Sequence, residues 1–348
     1  MPKVTGAGNA TSQRKADHIR INLEEDVQFP HVTTGLEHYT FVHQALPELN
    51  LDDIDTSITF LGKPLRAPLL ISSMTGGTQE AATINHRLAG VAQSHRIAIG
   101  VGSQRAAIEN PDLEETFQVR HVAPDVLLFA NLGAIQLNYG YGIDQCRRAI
   151  DMIQADALIL HLNVLQEAVQ PAGDTNWAGL LGKIEGICRQ LEVPVIAKEV
   201  GWGLSESAAR QLFNAGVAAL DVAGAGGTSW SEVEYHRAPT AFHAQVARSF
   251  ADWGIPTAES ILQTRHAAPD LPIIASGGLR DGIDVAKSLA LGASLAGIAG
   301  PLLRAADQSA EAADQAIRVV LTQLRVVMLC TASPTIEGLK QARLIRSA

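Results

Sequence analysis

Residues 193–227 read VPVIAKEVGWGLSESAARQLFNAGVAALDVAGAGG, and the order of their parts decides the fold. Val195–Glu199 (VIAKE) is short and almost wholly apolar until its end, the pattern of a parallel strand buried on both faces. Ser205-Glu206 opens an amphipathic stretch, Ser205–Ala215, as a helix N-cap does. Asn214-Ala215-Gly216-Val217 closes it with a glycine suited to a left-handed C-terminal cap. A second apolar run follows, Ala218–Val222 (AALDV), then a glycine turn at Gly224-Ala225-Gly226-Gly227. A strand, a helix and a strand joined this way pair their strands in parallel.

The same unit recurs in both directions. Upstream lie Leu69–Ser73 (LLISS), Ile97–Val101 (IAIGV), Val126–Ala130 (VLLFA) and Leu158–Leu162 (LILHL). Downstream lie Ile273–Ser276 (IIAS) and Leu295–Ile298 (LAGI), with a similar joint at Leu291-Gly292-Ala293-Ser294. Helical patterns cover Glu80–His95, Leu113–Val122, Asp144–Gln154 and Asp281–Leu291. Ile255–Glu259 reads as a helix start, because Pro256 precedes Thr, Ala and Glu. Strands alternating with helices eight times over is the arithmetic of a (β/α)8 TIM barrel. A doubly wound sheet fits less well, since no GxGxxG follows the first strand. The expected organisation is an N-terminal extension over 1–66 and a barrel over 67–348 ending in a helical tail. Residues 1–13 read as mobile and 14–66 as irregular. In the tail, Ile317, Val320, Leu321, Leu324, Val327 and Met328 recur at helical spacing and are expected to pack on strand eight.

The charge balance is 27 Lys and Arg against 36 Asp and Glu, a net −9. That excludes a general nucleic-acid binder, which needs a basic face, but allows a local basic cluster. With 47% hydrophobic and 18% charged residues the composition is globular. The three cysteines (Cys146, Cys188, Cys330) are widely spaced and offer neither a disulfide framework nor a zinc knuckle. They read as free thiols of the reducing cytoplasm. No apolar core marks a signal peptide at the N-terminus, and no apolar run is long enough to span a membrane.

A barrel carries its site at the C-terminal ends of its strands, and the unusual residues collect there. The strand ends lead into Ser72-Ser73-Met74-Thr75, Gly102-Ser103-Gln104-Arg105 and Asn131–Ala134. They continue with His161-Leu162-Asn163 before Gln166-Glu167, then Lys198, Thr228-Ser229-Trp230, Ser276–Arg280 and Gly297–Pro301. Gly277 and Gly278 before a helix N-terminus suit a phosphate. Lys198 ends a buried strand, and a buried ammonium needs a partner, for which Glu199 and Glu167 are at hand. Four polar groups at His161, Asn163, Gln166 and Glu167 are costly if idle. Glu167 suits Mg²⁺, which takes one or two carboxylates and completes its shell with water and phosphate. Arg14-Lys15 beside Asp17-His18 is a small basic cluster that Arg105 can join in clamping a diphosphate.

Taken together, RKADH (Arg14–His18), SSMTGG (Ser72–Gly77), GSQR (Gly102–Arg105), NLGA (Asn131–Ala134) and HLNVLQEAVQPAGD (His161–Asp174) form a recognisable set. KEVGWG (Lys198–Gly203), GAGGTSW (Gly224–Trp230), SGGLRDG (Ser276–Gly282) and GIAGP (Gly297–Pro301) complete it. The set resembles the type 2, FMN-dependent isopentenyl-diphosphate isomerases, from residue 14 to about residue 345. The resemblance implies that FMN is held by Ser73, Met74, Thr75, Ser103, Asn131, Lys198, Thr228, Gly278, Leu279, Arg280, Ala299 and Gly300. It implies a substrate diphosphate on Arg14, Lys15, Ser103, Gln104, Arg105, His161 and Gln166, with Asn163 lining the pocket and Mg²⁺ on Glu167. His161, Asn163, Gln166 and Lys198 would be the catalytic groups around a reduced flavin whose N5 exchanges protons. NADPH would serve only as reductant. The resemblance also implies a homo-oligomer, a tetramer or octamer, and the Arg14–Lys15 segment is expected to order on binding diphosphate.

Two rival readings remain at this point. One is an FMN-dependent α-hydroxy-acid oxidoreductase, with His236 as base and Arg237 and Arg280 clamping a carboxylate. The other is a non-catalytic barrel that binds a phosphorylated ligand.

Overall fold

The computed structural model describes residues 7–347. Among them, eight parallel strands close into a barrel. These are β1 (Leu69–Ile71), β2 (Ala98–Gly100), β3 (Leu128–Gly133), β4 (Ala157–Leu162), β5 (Val195–Glu199), β6 (Ala219–Asp221), β7 (Ile273–Ala275) and β8 (Leu295–Ile298). They pair in chain order, and the register Ala296↔Leu69 closes β8 onto β1. All eight expected runs form barrel strands. The stretch after Pro256 is a helix, Thr257–Ala267, as expected.

The barrel interior is filled near the strand starts by Leu70, Ala98, Phe129, Ile159, Ile196 and Ile274, each nearly or fully buried. Phe60 and Leu65 join this cluster from a hairpin, Ile58–Phe60 with Lys63–Leu65, that closes the base. Side chains thus fill the lower barrel, and a cavity lies at the strand ends.

Three expectations are corrected. Leu113–Val122 is not an α-helix but a 3-10 segment, Pro111–Phe117, capped by the Asn110 side chain on the Asp112 amide. Its tight turn sends Phe117 beneath Gly76, where any Cβ would lie 1.9 Å from the ring. Residues 14–24 are not irregular: they belong to a helix, Ala7–Glu24. Arg14, Lys15, His18 and Asn22 of that helix border a cavity rather than bulk water, so it shows no clean apolar stripe in the sequence. Of the stretch expected to be mobile, residues 1–6 lie outside the described residues, and the backbone of 7–13 begins this helix. The tail helix, Ala310–Cys330, packs chiefly on the helices Gly282–Ala290, Gly300–Gln308 and Gln79–His95 rather than on strand eight. Ile317, Leu324 and Met328 point fully inward, with Leu321 and Val327 at the margin.

The extension is knitted to the barrel at both ends. The amide of Phe29 donates to Gly227, and that of Ser229 to Val27, which fixes the N-terminal helix over the β6 loop. Ile21 and Val27 bury themselves against Val233. Further on, Tyr39–Phe41 pairs antiparallel with Leu344–Arg346 from the other end of the chain. No helix among the described residues is long and apolar enough to cross a membrane.

Candidate active site

A cavity opens at the C-terminal mouth, beneath the N-terminal helix. It is lined by loops from every strand of the barrel and, on its upper side, by Arg14, Lys15, His18, Ile19 and Asn22 of the helix. Every expected site residue except Gln104 borders it. The Gln104 side chain is fully buried elsewhere, donating to the Ala149 carbonyl at 2.8 Å and accepting from the Asn131 amide at 2.9 Å. It braces β3 and does not reach a ligand.

One wall is made of hydroxyls and bare backbone. The hydroxyls of Ser72, Ser73 and Thr75, from the end of β1, are buried and have no partner within the protein. Across the barrel, Gly277 and Gly278 adopt φ of +98° and +75°. A Cβ at Gly278 would stand 2.5 Å from the Gly226 carbonyl, so the β6 and β7 loops approach only because both residues lack side chains. Arg280 and Gly300 border the same wall, as does Arg304, which the sequence reading missed. Such a cradle of free hydroxyls and close backbone fits a flavin mononucleotide, whose ring offers polar edges and whose tail ends in phosphate.

Lys198 marks the centre. Its Nζ donates to Asp221 Oδ2 at 2.7 Å and to Ser276 Oγ at 3.2 Å, and Ser276 donates to Asp221 Oδ1 at 2.6 Å. The partner is thus Asp221, one strand over in register, and not Glu199 or Glu167. The Glu199 carboxylate turns away and accepts the amides of Val200, Gly201 and Trp202. Burial raises its pKa to about 7 against the pull of those three donors.

The opposite wall is cationic. Arg14 and Lys15 come from the N-terminal helix, Arg105 from the turn after β2 and His161 from β4. Burial chiefly, with Arg14 and Arg105 adding to it as like charges, lowers the Lys15 pKa to about 7. Burial likewise holds His161 near 3, with Lys15 and Lys198 adding to the effect. Its Nδ1 pairs with Asn131 Oδ1 at 2.8 Å, so the ring proton sits on Nδ1 and Nε2 is left as an acceptor. Arg105 is gripped twice, its Nε by Glu109 at 2.7 Å and its Nη1 by Asp174 at 2.8 Å.

Between the walls runs a polar chain. Asn163 Nδ2 donates to Glu167 Oε1 at 2.9 Å, and Gln166 Nε2 to Glu234 Oε1 at 3.0 Å. Glu234 is also held by Arg237 and lies 3.5 Å from His18, whose ring meets Trp230 edge to face. Burial opposes the Glu234 charge, but these contacts outweigh it and keep its pKa low. Burial drops His18 to about 4 despite Glu234. Among the described residues no group of three His, Cys, Asp or Glu could hold a metal. Glu167 is a lone carboxylate, which suits only an ion that shares its shell with water and substrate.

The cavity's two walls fit a flavin barrel bearing a cationic, single-carboxylate second half. A family model described as FMN-dependent dehydrogenase matches residues 151–346. An isopentenyl-diphosphate delta-isomerase of a Nostoc species is 58% identical over 98% of this chain and 97% of its own. The chain belongs to the type 2, FMN-dependent isopentenyl-diphosphate delta-isomerases. The Synechococcus and Rickettsia rickettsii isomerases, at 55% and 52% identity, cover 98% and 97% of the chain. Solved mandelate oxidase and flavocytochrome b2 structures superpose with TM-scores of 0.67 and 0.66 at 14% and 16% identity. The mandelate oxidase match covers 99% of this chain and 100% of that one, the flavocytochrome 100% and 89%. At such identities these two show the barrel alone. The protein is an FMN-dependent isomerase.

Proposed function

We propose that this enzyme interconverts isopentenyl and dimethylallyl diphosphate on reduced FMN, with Mg²⁺ at Glu167 and NADPH as the reductant. The observation that carries the reading is the pairing of two unlike walls in one cavity: free hydroxyls and glycines around Lys198, facing Arg14, Lys15, Arg105 and Glu167. When bound, reduced FMN supplies a proton at N5 and an electron-rich ring that stabilises a developing tertiary carbocation.

The chain's residues divide the remaining work. Lys198, fixed by Asp221 and Ser276, would present its ammonium to an anionic ring without reorganising. Ser73, Thr75 and Ser103 orient the ring through hydroxyls, and Gly278 to Arg280 with Gly300 receive the phosphate tail. Arg14, Lys15, Arg105 and His161 hold the diphosphate. Mg²⁺, when present, would be held by Glu167, whose oxygens accept from Asn163 and the Asp174 amide, and would supply positive charge to the diphosphate. Trp230 and the N-terminal helix shield the alkene from water.

Of the residues assigned to the oxidase reading, Arg280 borders the cavity and the other two do not. Arg237 is committed to Glu234, His236 lies near Glu25, and neither borders the cavity. That reading is left without its base.

The test is proton NMR of isopentenyl diphosphate incubated anaerobically in heavy water with protein, FMN, Mg²⁺ and NADPH. The expected result is dimethylallyl diphosphate carrying deuterium, formed only when the flavin is reduced. Flavin-loaded protein that converts none of it would overturn the reading.

A further inference from the structure

The loop after the β4 strand ties together parts of the cationic wall that are distant in sequence. Asp174 is its hub. The Asp174 amide donates to Glu167 Oε2 at 2.8 Å. Its carboxylate Oδ2 accepts from Arg105 Nη1 and from Gln136 Nε2, both at 2.8 Å. Four residues earlier, Gln170 accepts from Arg14 Nη1 at 3.3 Å and donates to the Gln166 carbonyl at 3.2 Å. The loop is drawn tight at Gly173, where a Cβ would fall 1.9 Å from the Glu167 carbonyl oxygen.

Resting on the diphosphate reading, we propose that Asp174 is a positioning residue that locks Arg105 and Glu167 together as one diphosphate–metal clamp. The physical need is plain. Arg14, Lys15 and Arg105 crowd one wall and repel one another, a repulsion that adds to burial in lowering the Lys15 pKa. A long arginine among like charges swings outward unless something holds it. Glu109 accepts from Arg105 Nε, from one turn along its own helix. Asp174 holds it from across the cavity rim, and the same residue fixes through its backbone the carboxylate that faces the metal. One loop thereby sets the distance between the group that binds phosphate oxygens and the group that binds their cation. Asp174 itself need not touch the substrate.

The experiment uses the FMN-loaded full chain and inorganic pyrophosphate as probe, titrated calorimetrically without and with Mg²⁺. Asp174→Ala should retain its flavin, whose expected contacts lie on other strands. It should bind pyrophosphate about tenfold more weakly, the scale for losing a hydrogen bond to a charged group. Asp174→Asn keeps the acceptor and the backbone bond, and should recover most of the loss. In an Arg105→Ala background without Mg²⁺, Asp174→Ala should change nothing further, because the residue it acts through is gone. Multiplicative losses in that double variant, or wild-type affinity in Asp174→Ala, would overturn the proposal while leaving the diphosphate reading intact. Wild-type protein that fails to bind pyrophosphate at all would overturn both.

Discussion

Lys15 shows how a single side chain can carry a pH dependence. Burial and two neighbouring arginines bring its pKa down to about 7 in the ligand-free protein. A bound diphosphate supplies the missing counter-charge and raises that value again. Between pH 7 and 9 binding therefore draws a proton onto Lys15, and affinity falls as pH rises through that window. Below pH 7 Lys15 is already charged, and its contribution levels off. His161 adds to the uptake at lower pH, because its Nε2 must gain a proton before it can donate to a phosphate oxygen. Calorimetric titration of pyrophosphate at pH 8 in two buffers of different ionisation enthalpy should report proton uptake, after correction for the ligand's own ionisation. Lys15→Gln should remove most of it. Proton release, or an affinity flat from pH 7 to 9, would refute this account.

At the level of elements, the strands were legible and the N-terminal helix was not, for one reason. A strand buried on both faces writes an apolar run that survives without context, and Val195–Glu199 matches its expected bounds residue for residue. The helix Ala7–Glu24 turns charged residues toward a ligand cavity, so its amphipathic signal is scrambled. The same logic separates the site residues. Lys198 stood out as a charge ending an apolar strand, and Asp221, fully buried within AALDV, carried the same signal unnoticed. Glu234 gave none: it is one of two glutamates on the helix Trp230–Arg237, and only the fold shows which way it points. The N-terminal helix is held in part by a small apolar contact, Ile21 and Val27 on Val233, beside Ile19, which joins the main core. Ile21→Ala should cost roughly 2–4 kcal/mol of docking energy, as large-to-small changes at buried sites do. The helix would then release locally before the barrel unfolds. Pyrophosphate affinity should fall at least tenfold while FMN affinity stays within about twofold, and proteolysis within residues 14–24 should speed up and be slowed again by pyrophosphate. Joint loss of both ligands would mean the helix is part of the barrel's cooperative core instead.

For the whole molecule, the barrel's closure is separate from what straps its two ends. Between the N-terminal helix and β1 the chain runs from the mouth to the base. At the mouth it passes the β6 and β7 loops, where Thr34 abuts Gly226 and Gly278 and its carbonyl accepts from Ala258. At the base it ends as the hairpin plug of Phe60 and Leu65. Midway it is pinned by the last strand, through the Tyr39↔Arg346 to Phe41↔Leu344 ladder and the flanking bonds Val42 to Arg343 and Ser347 to His38. These bonds are largely exposed, with Ile345 at 51%, and each contributes about 1 kcal/mol. Deleting residues 343–348 should therefore lower the thermal midpoint by only a few degrees in a chain of this size. Hydrogen exchange at Tyr39–Phe41 should rise, because that strand loses its partner. Flavin binding should stay within about twofold, since Thr34 is fixed independently at the mouth. A collapse of the midpoint by more than about 15 °C, or loss of the flavin, would show that the strap carries load through to the site and that the chain's two ends are one structural unit with it.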